Sequence, residues 1–472
     1  MTKKRTWEEL WPTSHSKIGR SELQDLDDEE FRELRRLTFQ REVRRTKNTS
    51  RAKKISRKLN LKRRFQPRVR FSKEALRARF QPCEILESFV PDRKSRWRKL
   101  LQRKKGGEIC CKNFSFIDYP KETSEILQKI ALAECEAVAY RINFDDRYVS
   151  DVGPFLLLGV MREKMAPLTS GGRLSASTAK VLEAAGLNHF LSMASIGKKV
   201  PKHDVWPLPI RQRRRAGSSK NKSHLQPATY EIAADQIVAK VHDWLGTLDP
   251  PQGLTQFGAG KIKSMIGEVL NNAERHSRIG GDGEWITAGF MARRLVKIGD
   301  NPRTLHICHL SLLNPGRPIS ETIKEAPSEI VEQVAKYQAL HRKSGVSEET
   351  LATVFALQDG ISRVLQGEGM PSGGTGMMDV VEFANEVGKA PTSELGPKVA
   401  IISGKAYIRF SGDFNRGIMP QGSERRLQWF NVANDVKYPP HPGHVMDLPY
   451  TFPGTLITLR FALGEQLGEE DG

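Results

Sequence analysis

The chain has 472 residues and carries 75 Lys and Arg against 55 Asp and Glu, a formal net charge of +20. This length exceeds that of a common domain, so we expect about three folding units. No run approaches the roughly 20 apolar residues of a membrane helix, and the five cysteines form no Cys-x-x-Cys pair. The composition therefore predicts a cytoplasmic protein without a membrane span, a disulfide framework or a zinc site.

Residues 1–105 form a strongly basic region. They contain 33 Lys and Arg against 14 Asp and Glu, so they hold +19 of the net charge. The pattern predicts a mixed-charge helix over Asp27–Thr46 and then a stretch rich in Lys and Arg, Lys47–Arg70. Such runs cannot pack together in a core, so they stay solvated or meet an acidic partner. A solvated, partly helical tail and a sequence-tolerant nucleic-acid contact both remain open.

Residues 106–200 predict a small α/β domain in which helices back a sheet. Apolar periodicity and end signals give the order of its elements. The expected elements are strand Phe114–Ile117, helix Thr123–Cys135, strand Ala137–Ile142, helix Val152–Lys164 and helix Ala176–Ala185, the last closed by Gly186.

Within this domain, residues 137–191 resemble the STAS domain, the fold of anti-sigma-factor antagonists. The turn Tyr148–Gly153 corresponds to that family's strand-to-helix turn, and Val181–Leu187 corresponds to its last helix. The family's phosphorylatable serine is replaced by Asp151, with Ser150 one place earlier. The resemblance implies a surface for a protein partner, and the aspartate predicts a fixed negative charge in place of a phosphoswitch.

Residues 201–228 combine prolines with the basic strip Arg211–Arg215. Proline, glycine and like charges together are typical of an exposed linker. The strip 211–215 is also a second candidate for phosphate contacts with a nucleic acid.

A polar ridge follows on a predicted helix. Glu268, Asn272 and His276 are four residues apart and share one helix face, while Met265 and Leu270 point into apolar contact. Magnesium prefers oxygen ligands, which the side-chain oxygen of Asn272 can supply. Glu268 can orient or deprotonate the water that attacks a terminal phosphate.

This pattern, Glu-x-x-x-Asn-Ala-x-x-His, resembles the N-box of the GHKL superfamily, whose domain has the Bergerat fold. The resemblance implies an ATP-binding domain over residues 229–465. It also implies that Glu268 is the catalytic base, that Asn272 is the Mg²⁺ ligand, and that His276 contacts the nucleotide.

Two further segments follow in the superfamily's order. Asn314 and Gly316 come after a strand-like segment, Thr304–Leu312, where the family has Asp-x-Gly-x-Gly. The resemblance implies that the Asn314 carboxamide accepts a hydrogen bond from the adenine amino group and that Gly316 lets the backbone approach the ring. A glycine-rich turn before a helix resembles the second glycine box, whose N–H groups contact phosphate. Its residues are Gly373, Gly374, Thr375 and Gly376.

The C-terminal part predicts strands and a closing segment. Strands Val399–Ile402 and Lys405–Phe410 are expected to flank a turn at Ser403-Gly404, with a last strand at Gly454–Phe461. Its Thr455 resembles the superfamily's threonine that helps to seat adenine through water. Ser320–Pro371 is the expected lid between the two glycine boxes.

The sequence therefore predicts an α/β protein, an α+β sandwich, in four parts. They are a basic, partly helical region 1–105, a STAS-like domain 106–200, a linker 201–228 and a Bergerat-fold domain 229–465 that binds ATP and Mg²⁺. Three functions remain open: an ATP-hydrolysing switch that controls contacts with a nucleic acid or protein, an anti-sigma-type protein serine kinase, and an ATP sensor without hydrolysis. The resemblance also implies an ATP-dependent homodimer.

Overall fold

The computed structural model describes most of the chain. The described residues are 28–64, 83–96, 104–136, 138–165, 169–191, 193, 205–213, 227–248, 251–276, 283–298, 301–361, 376–387, 396–414, 417–419, 421–422 and 425–463. The chain divides into two compact units, residues 1–72 and 73–472. Among the described helices, none is both long and apolar enough to cross a bilayer.

The first unit contains a helical hairpin. Helix α1 spans Asp28–Thr46 and helix α2 spans Thr49–Arg64, so the predicted mixed-charge helix is confirmed. Lys47 takes a left-handed φ of 49° after α1, and the Asn48 side chain accepts a hydrogen bond from the Arg51 N–H at 2.9 Å to begin α2. The two helices pack through small and apolar side chains. The buried ones are Phe31, Leu34, Ala52 and Ser56.

The second unit begins with a three-stranded parallel sheet in the order β1-β2-β3. Parallel neighbours need crossover connections, and helices supply them here. The strands are β1 Lys104–Cys111, β2 Val138–Phe144 and β3 Thr169–Leu174. The helices of this part are α3 Glu84–Phe89, α4 Arg93–Arg96, α5 Pro120–Cys135, α6 Gly153–Lys164, α7 Ala176–Ala184 and α8 Leu187–Phe190.

A six-stranded sheet follows in the order β5-β4-β6-β7-β9-β8. All pairs are antiparallel except β4 with the short β5. Its strands are β4 Val205–Arg213, β5 Pro227–Ala228, β6 Ile286–Ile298, β7 Asn301–Asn314, β8 Lys398–Phe410 and β9 Val445–Leu463. Its helices are α9 Tyr230–Leu245, α10 Gln256–His276, α11 Ile319–Thr322, α12 Ser328–Leu340, α13 Glu348–Ala356 and α14 Gly376–Val387.

The two faces of the six-stranded sheet pack against different layers. Because side chains alternate along a strand, Leu310 and Leu312 of β7 share one face. Helices α9, α10 and α14 cover that face and form one core with it, to which Trp244 and Leu270 contribute fully buried side chains. Each such side chain stabilises the fold by about 2–3 kcal/mol. The opposite face meets α5 and α6, and α6 is buried continuously from Gly153 to Met161 because it lies between two layers.

A carboxylate joins the α5–α6 layer to the six-stranded sheet. Asp118 lies just before α5, and its oxygens accept hydrogen bonds from Arg460 of β9 at 2.7 Å and from Lys398 of β8 at 3.0 Å. Beside it, the Tyr407 hydroxyl donates to the main-chain oxygen of Ile117 at 2.9 Å. Burial raises the pKa of Asp118, but the two adjacent cations outweigh it, so the net pKa is lowered.

Replacing Asp118 by Ala should lower the free energy of unfolding by about 2 kcal/mol at neutral pH, because two partly buried cations lose their partner. The folded-state pKa is lowered, so the carboxylate stabilises the fold above its unfolded pKa and this contribution is lost as pH falls through the folded pKa. Urea titrations of wild type and variant should converge in acid. Glu122→Ala, at an exposed position in the first turn of α5, is the control; an equal effect of both substitutions would contradict the ion-pair explanation.

Most predicted elements are confirmed, and the exceptions have local causes. The strand predicted at Phe114–Ile117 is wrong, because this segment forms a turn. The Asp146 carboxylate accepts hydrogen bonds from the Asn113 and Phe114 N–H groups, so these groups are not available to pair with a neighbouring strand. The linker expectation is wrong for Val205–Arg213, which is strand β4. That strand contains prolines but still places Val205, Leu208 and Ile210 in buried positions.

Strand β8 also differs from the sequence expectation. It runs unbroken through Ser403 and Gly404, where a turn was predicted. Gly404 takes a left-handed φ of 58°, and the pairing register with β9 shifts on both sides of it, so the residue forms a bulge within the ladder. The Glu349 carboxylate accepts a hydrogen bond from the Lys405 N–H at 2.9 Å beside this bulge. A side chain at position 404 would collide with that carboxylate.

Candidate functional site

Three polar side chains, Asn314, Thr455 and Ser403, form a polar row across neighbouring strands at the level where β7 ends. Asn314 of β7 lies opposite Thr455 of β9, and Thr455 lies opposite Ser403 of β8. By strand alternation, all three belong to the face that α9, α10 and α14 cover. The hydroxyl oxygens of Ser403 and Thr455 are 2.8 Å apart, and Ser403 Oγ also accepts a hydrogen bond from the Ile319 N–H at 2.8 Å. The fold thus brings two predicted adenine contacts together and adds Ser403, which the sequence did not single out.

The side-chain oxygen of Asn314 is buried and has no hydrogen-bond donor among the described residues. A buried acceptor without a donor costs about 1–3 kcal/mol, so native proteins seldom leave one. Thr455 can take the opposite role. Because Ser403 Oγ already accepts from a main-chain N–H, it can donate its own proton to Thr455, which leaves the Thr455 hydroxyl able to donate elsewhere. The row therefore offers an acceptor and a donor side by side.

Glycine is required where this row meets the following turn. Gly454 takes a φ of +117°, and a Cβ atom there would lie 2.0 Å from the main-chain oxygen of Asn314 and 2.7 Å from the N atom of Gly316. Any side chain would push β9 away from the Asn314–Gly316 turn. The resemblance assigned to Gly316 a close approach of the backbone to the adenine ring, whereas Gly454 permits a different approach, that of β9 to the Asn314–Gly316 turn. The Gly-Thr pair at the start of the predicted last strand was the available signal.

Helix α10 carries the predicted catalytic ridge. Its buried side chains recur at helical spacing, and Met265, Ile266 and Leu270 lie in the core as predicted. Glu268 and Asn272 are half-buried on the same helix. His276 is the last residue of the helix, and its side chain lies outside the described part.

Helix α14 begins at Gly376, so a helix does follow the glycine-rich turn. It packs against α10, with Met378 and Val381 buried. Gly373, Gly374 and Thr375 lie outside the described residues. The predicted phosphate-binding loop is therefore represented here only by its last residue and the helix that follows.

Arg426 connects the start of α14 to the segment that follows α13. Its guanidinium contacts Asp359 at 2.6 Å, Asp379 at 2.8 Å and Glu382 at 2.7 Å, and its pKa is raised: burial lowers it, but hydrogen bonds to Asp359 and Asp379 outweigh burial. Asp359 precedes the predicted phosphate loop, and Asp379 follows it on α14. One side chain thus joins a residue that precedes the segment 362–375 to one that follows it, although no sequence motif indicated Arg426.

The expected lid is largely a packed insertion. Helices α11, α12 and α13 occupy residues 319–356, and Leu351, Val354 and Tyr337 belong to the core of the sheet. Asp447 of β9 anchors the start of α13 by accepting hydrogen bonds from the Ser347 N–H and hydroxyl, each at 2.8 Å. The described part of residues 320–371 therefore belongs to the domain's fixed structure.

A cavity of about 1560 Å³ lies beside the Asn314–Gly316 turn. Gly316 and Gly454 line it, together with residues of α3, α6, α12 and α13, whereas Glu268, Asn272, Asn314 and Thr455 do not. Six glutamates but only four Lys or Arg residues line its wall. An excess of carboxylates disfavours a triphosphate. The polar row and α10 are therefore better candidates for the nucleotide contacts than this cavity.

Trp285 and Glu274 connect α10 to the strip that was considered for phosphate contacts. The Trp285 indole N–H donates to Glu274 at 2.7 Å, and Arg213 of β4 lies 3.4 Å from the same carboxylate. Arg211 donates to Gln236 of α9. The two described arginines of strip 211–215 thus contact neighbours within the domain, and the rest of the strip lies outside the described residues.

Asp151 is buried, contrary to a role for its charge at a partner surface. Its carboxylate accepts hydrogen bonds from the Ser115 hydroxyl at 2.6 Å, the Gly153 N–H at 2.9 Å and the Ile117 N–H at 3.2 Å. Burial raises the pKa of Asp151 to about 6, although those hydrogen bonds oppose the shift. The carboxylate therefore organises the 115–117 turn inside the fold.

Two histidines of β7 lie three residues apart and therefore on opposite faces of the strand. His306 and His309 are both buried, and His309 stacks on Phe290 with ring centroids 4.5 Å apart. Burial and the nearby cations Arg460 and Arg294 lower the pKa of His309 well below its usual value. The described side chains include no group of three or more His, Cys, Asp or Glu that could hold a metal ion.

Replacing Asp151 by Asn should reveal a pH dependence opposite to that of Asp118. Since the folded-state pKa is raised, protonation favours the folded state, and this contribution is lost as pH rises through about 6. Lowering the pH from neutral to about 4 should therefore stabilise wild type relative to Asp151→Asn by up to about 3 kcal/mol. Urea titrations at several pH values measure the difference; a difference that does not change with pH would contradict the inference.

Comparisons of the chain with protein-family models, with curated proteins and with solved structures found no match.

Proposed function

We propose that residues 229–465 bind ATP with Mg²⁺ and hydrolyse it. The observation that carries the proposal is the buried oxygen of Asn314, which has no donor among the described residues and lies beside Thr455. The adenine ring presents an amino donor next to a ring-nitrogen acceptor. The acceptor of Asn314 and the hydroxyl of Thr455, directly or through water, complement that pair. Guanine presents an acceptor followed by a donor, so the row favours adenine.

The order of elements also supports the proposal. Helix α10 with Glu268 and Asn272 comes first, β7 ends at Asn314, α14 starts at Gly376, and β8 and β9 close the sheet. This is the order that the GHKL resemblance implies. The N-terminus of α14 supplies main-chain N–H groups and a positive dipole end, which suit phosphate oxygens.

Within this proposal each side chain has a role. Asn272 would hold Mg²⁺, which neutralises phosphate charge when bound. Glu268 accepts a proton from the water that attacks the terminal phosphorus, while the bond from that phosphorus to the bridging oxygen breaks. Asn314 and Thr455 orient the base. The Asn314 contact lacks the charge of an aspartate, so we expect modest nucleotide affinity.

The base contact can be tested by nucleotide titration. Asn314→Leu should weaken ATP and adenosine binding about tenfold, the loss expected for one hydrogen bond. Asn314→Asp should bind at least as tightly as wild type, because a charged acceptor makes a stronger hydrogen bond. Calorimetry with ATP, adenosine and GTP measures these differences. Equal affinity of wild type for ATP and GTP, or no effect of Asn314→Leu, would refute the adenine assignment.

A second pair of variants tests ATP hydrolysis and Mg²⁺ binding separately. Glu268→Gln should leave Mg-ATP bound but lower phosphate release by about 10²–10⁴-fold, because the water loses its base. Asn272→Ala should lose the magnesium-dependent part of binding. Glu231→Gln, exposed on α9, is the control for charge loss. Equal binding and turnover in the Glu268 and Asn272 variants would disprove the two roles.

The same assay separates the remaining functions. Binding by the wild type without phosphate release would favour an ATP sensor, and transfer of the terminal phosphate to a protein would favour a serine kinase. Burial of Asp151 and its three hydrogen bonds disfavour transfer to the STAS-like turn of this chain. An acceptor for a kinase would therefore lie on another protein.

A further inference from the structure

Helix α2 presents an unusual charge distribution. It contains eight Lys or Arg residues among its 16 residues and no Asp or Glu. Within the described side chains, Ala52 and Ser56 are buried and Ile55 is half-buried, so they define the packed face. Five basic side chains are exposed: Arg51, Lys53, Lys54, Arg57 and Lys58.

These five side chains share the face opposite the packed residues. Successive residues of a helix are rotated by about 100°, which places all five cations within an arc of roughly 160°. The centre of this arc lies on the side of the helix opposite Ala52, Ile55 and Ser56. The hairpin therefore turns its small and apolar residues inward and leaves one continuous cationic face.

The described carboxylates of the hairpin do not pair with this face. On α1, the described ion pairs are internal: Arg36 pairs with Glu33, and Arg45 pairs with Glu42 at 3.3 Å. None of the five α2 cations has a carboxylate partner within the described residues. Like charges four residues apart, such as Lys53 with Arg57 and Lys54 with Lys58, repel each other and destabilise a helix. A polyanion bound along the face would remove that repulsion.

We propose that the five-cation face of α2, residues 51, 53, 54, 57 and 58, binds the phosphate backbone of nucleic acid without sequence preference. Regularly spaced phosphates match a row of cations on one helix face, and binding releases condensed counterions. A membrane surface fits less well, because an interfacial helix also needs an exposed apolar face. The described apolar side chains of α2 face α1 instead. With Lys and Arg along the face, the contacts position the chain and do not read bases.

The test uses the full-length protein with labelled duplex DNA and single-stranded RNA of mixed sequence, measured by fluorescence anisotropy. In the test variant, the five residues are replaced by Gln, which retains good helix propensity. The control variant carries the same charge loss elsewhere, at exposed lysines. These are Lys112, Lys121, Lys129, Lys405 and Lys437.

The α2 variant should bind at least about 100-fold more weakly near 0.1 M salt. On duplex DNA its log–log salt slope should be shallower by up to about 4.5, since each lost phosphate contact removes about 0.9. The control variant should stay within a few-fold of wild type. A third variant exchanges Lys and Arg at the same five positions and should retain binding, because the charge is unchanged. Hydrogen exchange across residues 49–58 verifies that α2 remains helical in each variant.

Three outcomes would overturn the proposal. One is an α2 variant that binds as well as wild type. Another is an equal loss in the control, which would make binding a property of net charge. The third is preferential binding of vesicles rich in anionic lipid that depends on the five residues, which would identify the face as a membrane surface. Nucleotide binding plays no part in these measurements, so their result is independent of the ATP site.

Discussion

Strand β9 pairs with β7 on one side and with β8 on the other, and the candidate site depends on that double pairing. The close approach of β9 to the Asn314–Gly316 turn is sterically permitted because residue 454 is glycine. On one face of the same strand, Thr455 joins the polar row. On the other face, Arg460 binds Asp118 and holds the α5–α6 layer. A displacement of β9 would therefore disturb the polar row and the packing of the layers together.

The polar row and the large cavity offer different chemistry. The row sets an unpaired acceptor, Asn314, beside the hydroxyl of Thr455, so it can distinguish one planar base from another. The cavity is lined by an excess of glutamates, which disfavours a triphosphate. For this reason the unpaired Asn314 oxygen is a better indication than cavity volume of where the proposed nucleotide would bind. Arg426 forms ion pairs with Asp359 and Asp379, which lie before and after the segment that the resemblance assigns to phosphate binding.

Charged side chains have different surroundings in the two units of the chain. In the second unit, the cations Lys398 and Arg460 are partly buried and share the Asp118 carboxylate, which lowers its pKa. In the first unit, the five exposed cations of α2 have no carboxylate partner among the described residues. Buried charges need partners to offset lost hydration, whereas exposed charges stay in water until a polyanion displaces counterions. Paired, partly buried charges are typical of side chains that stabilise the fold, and unpaired, exposed charges are typical of a binding surface.

The sequence by itself determined the mixed α/β class, helices α1, α5, α6, α7, α10 and α14, and the polar residues of α10. Local spacing contains that information, because helix faces repeat every 3.6 residues. Only the tertiary structure decided that Asn314, Thr455 and Ser403 form one row, since strand register joins residues distant in the chain. It also decided that Gly404 is a bulge and that Asp151 is buried. Turn propensity and a charged side chain predict exposure locally, but a neighbouring strand and three hydrogen-bond donors from the fold outweighed those preferences.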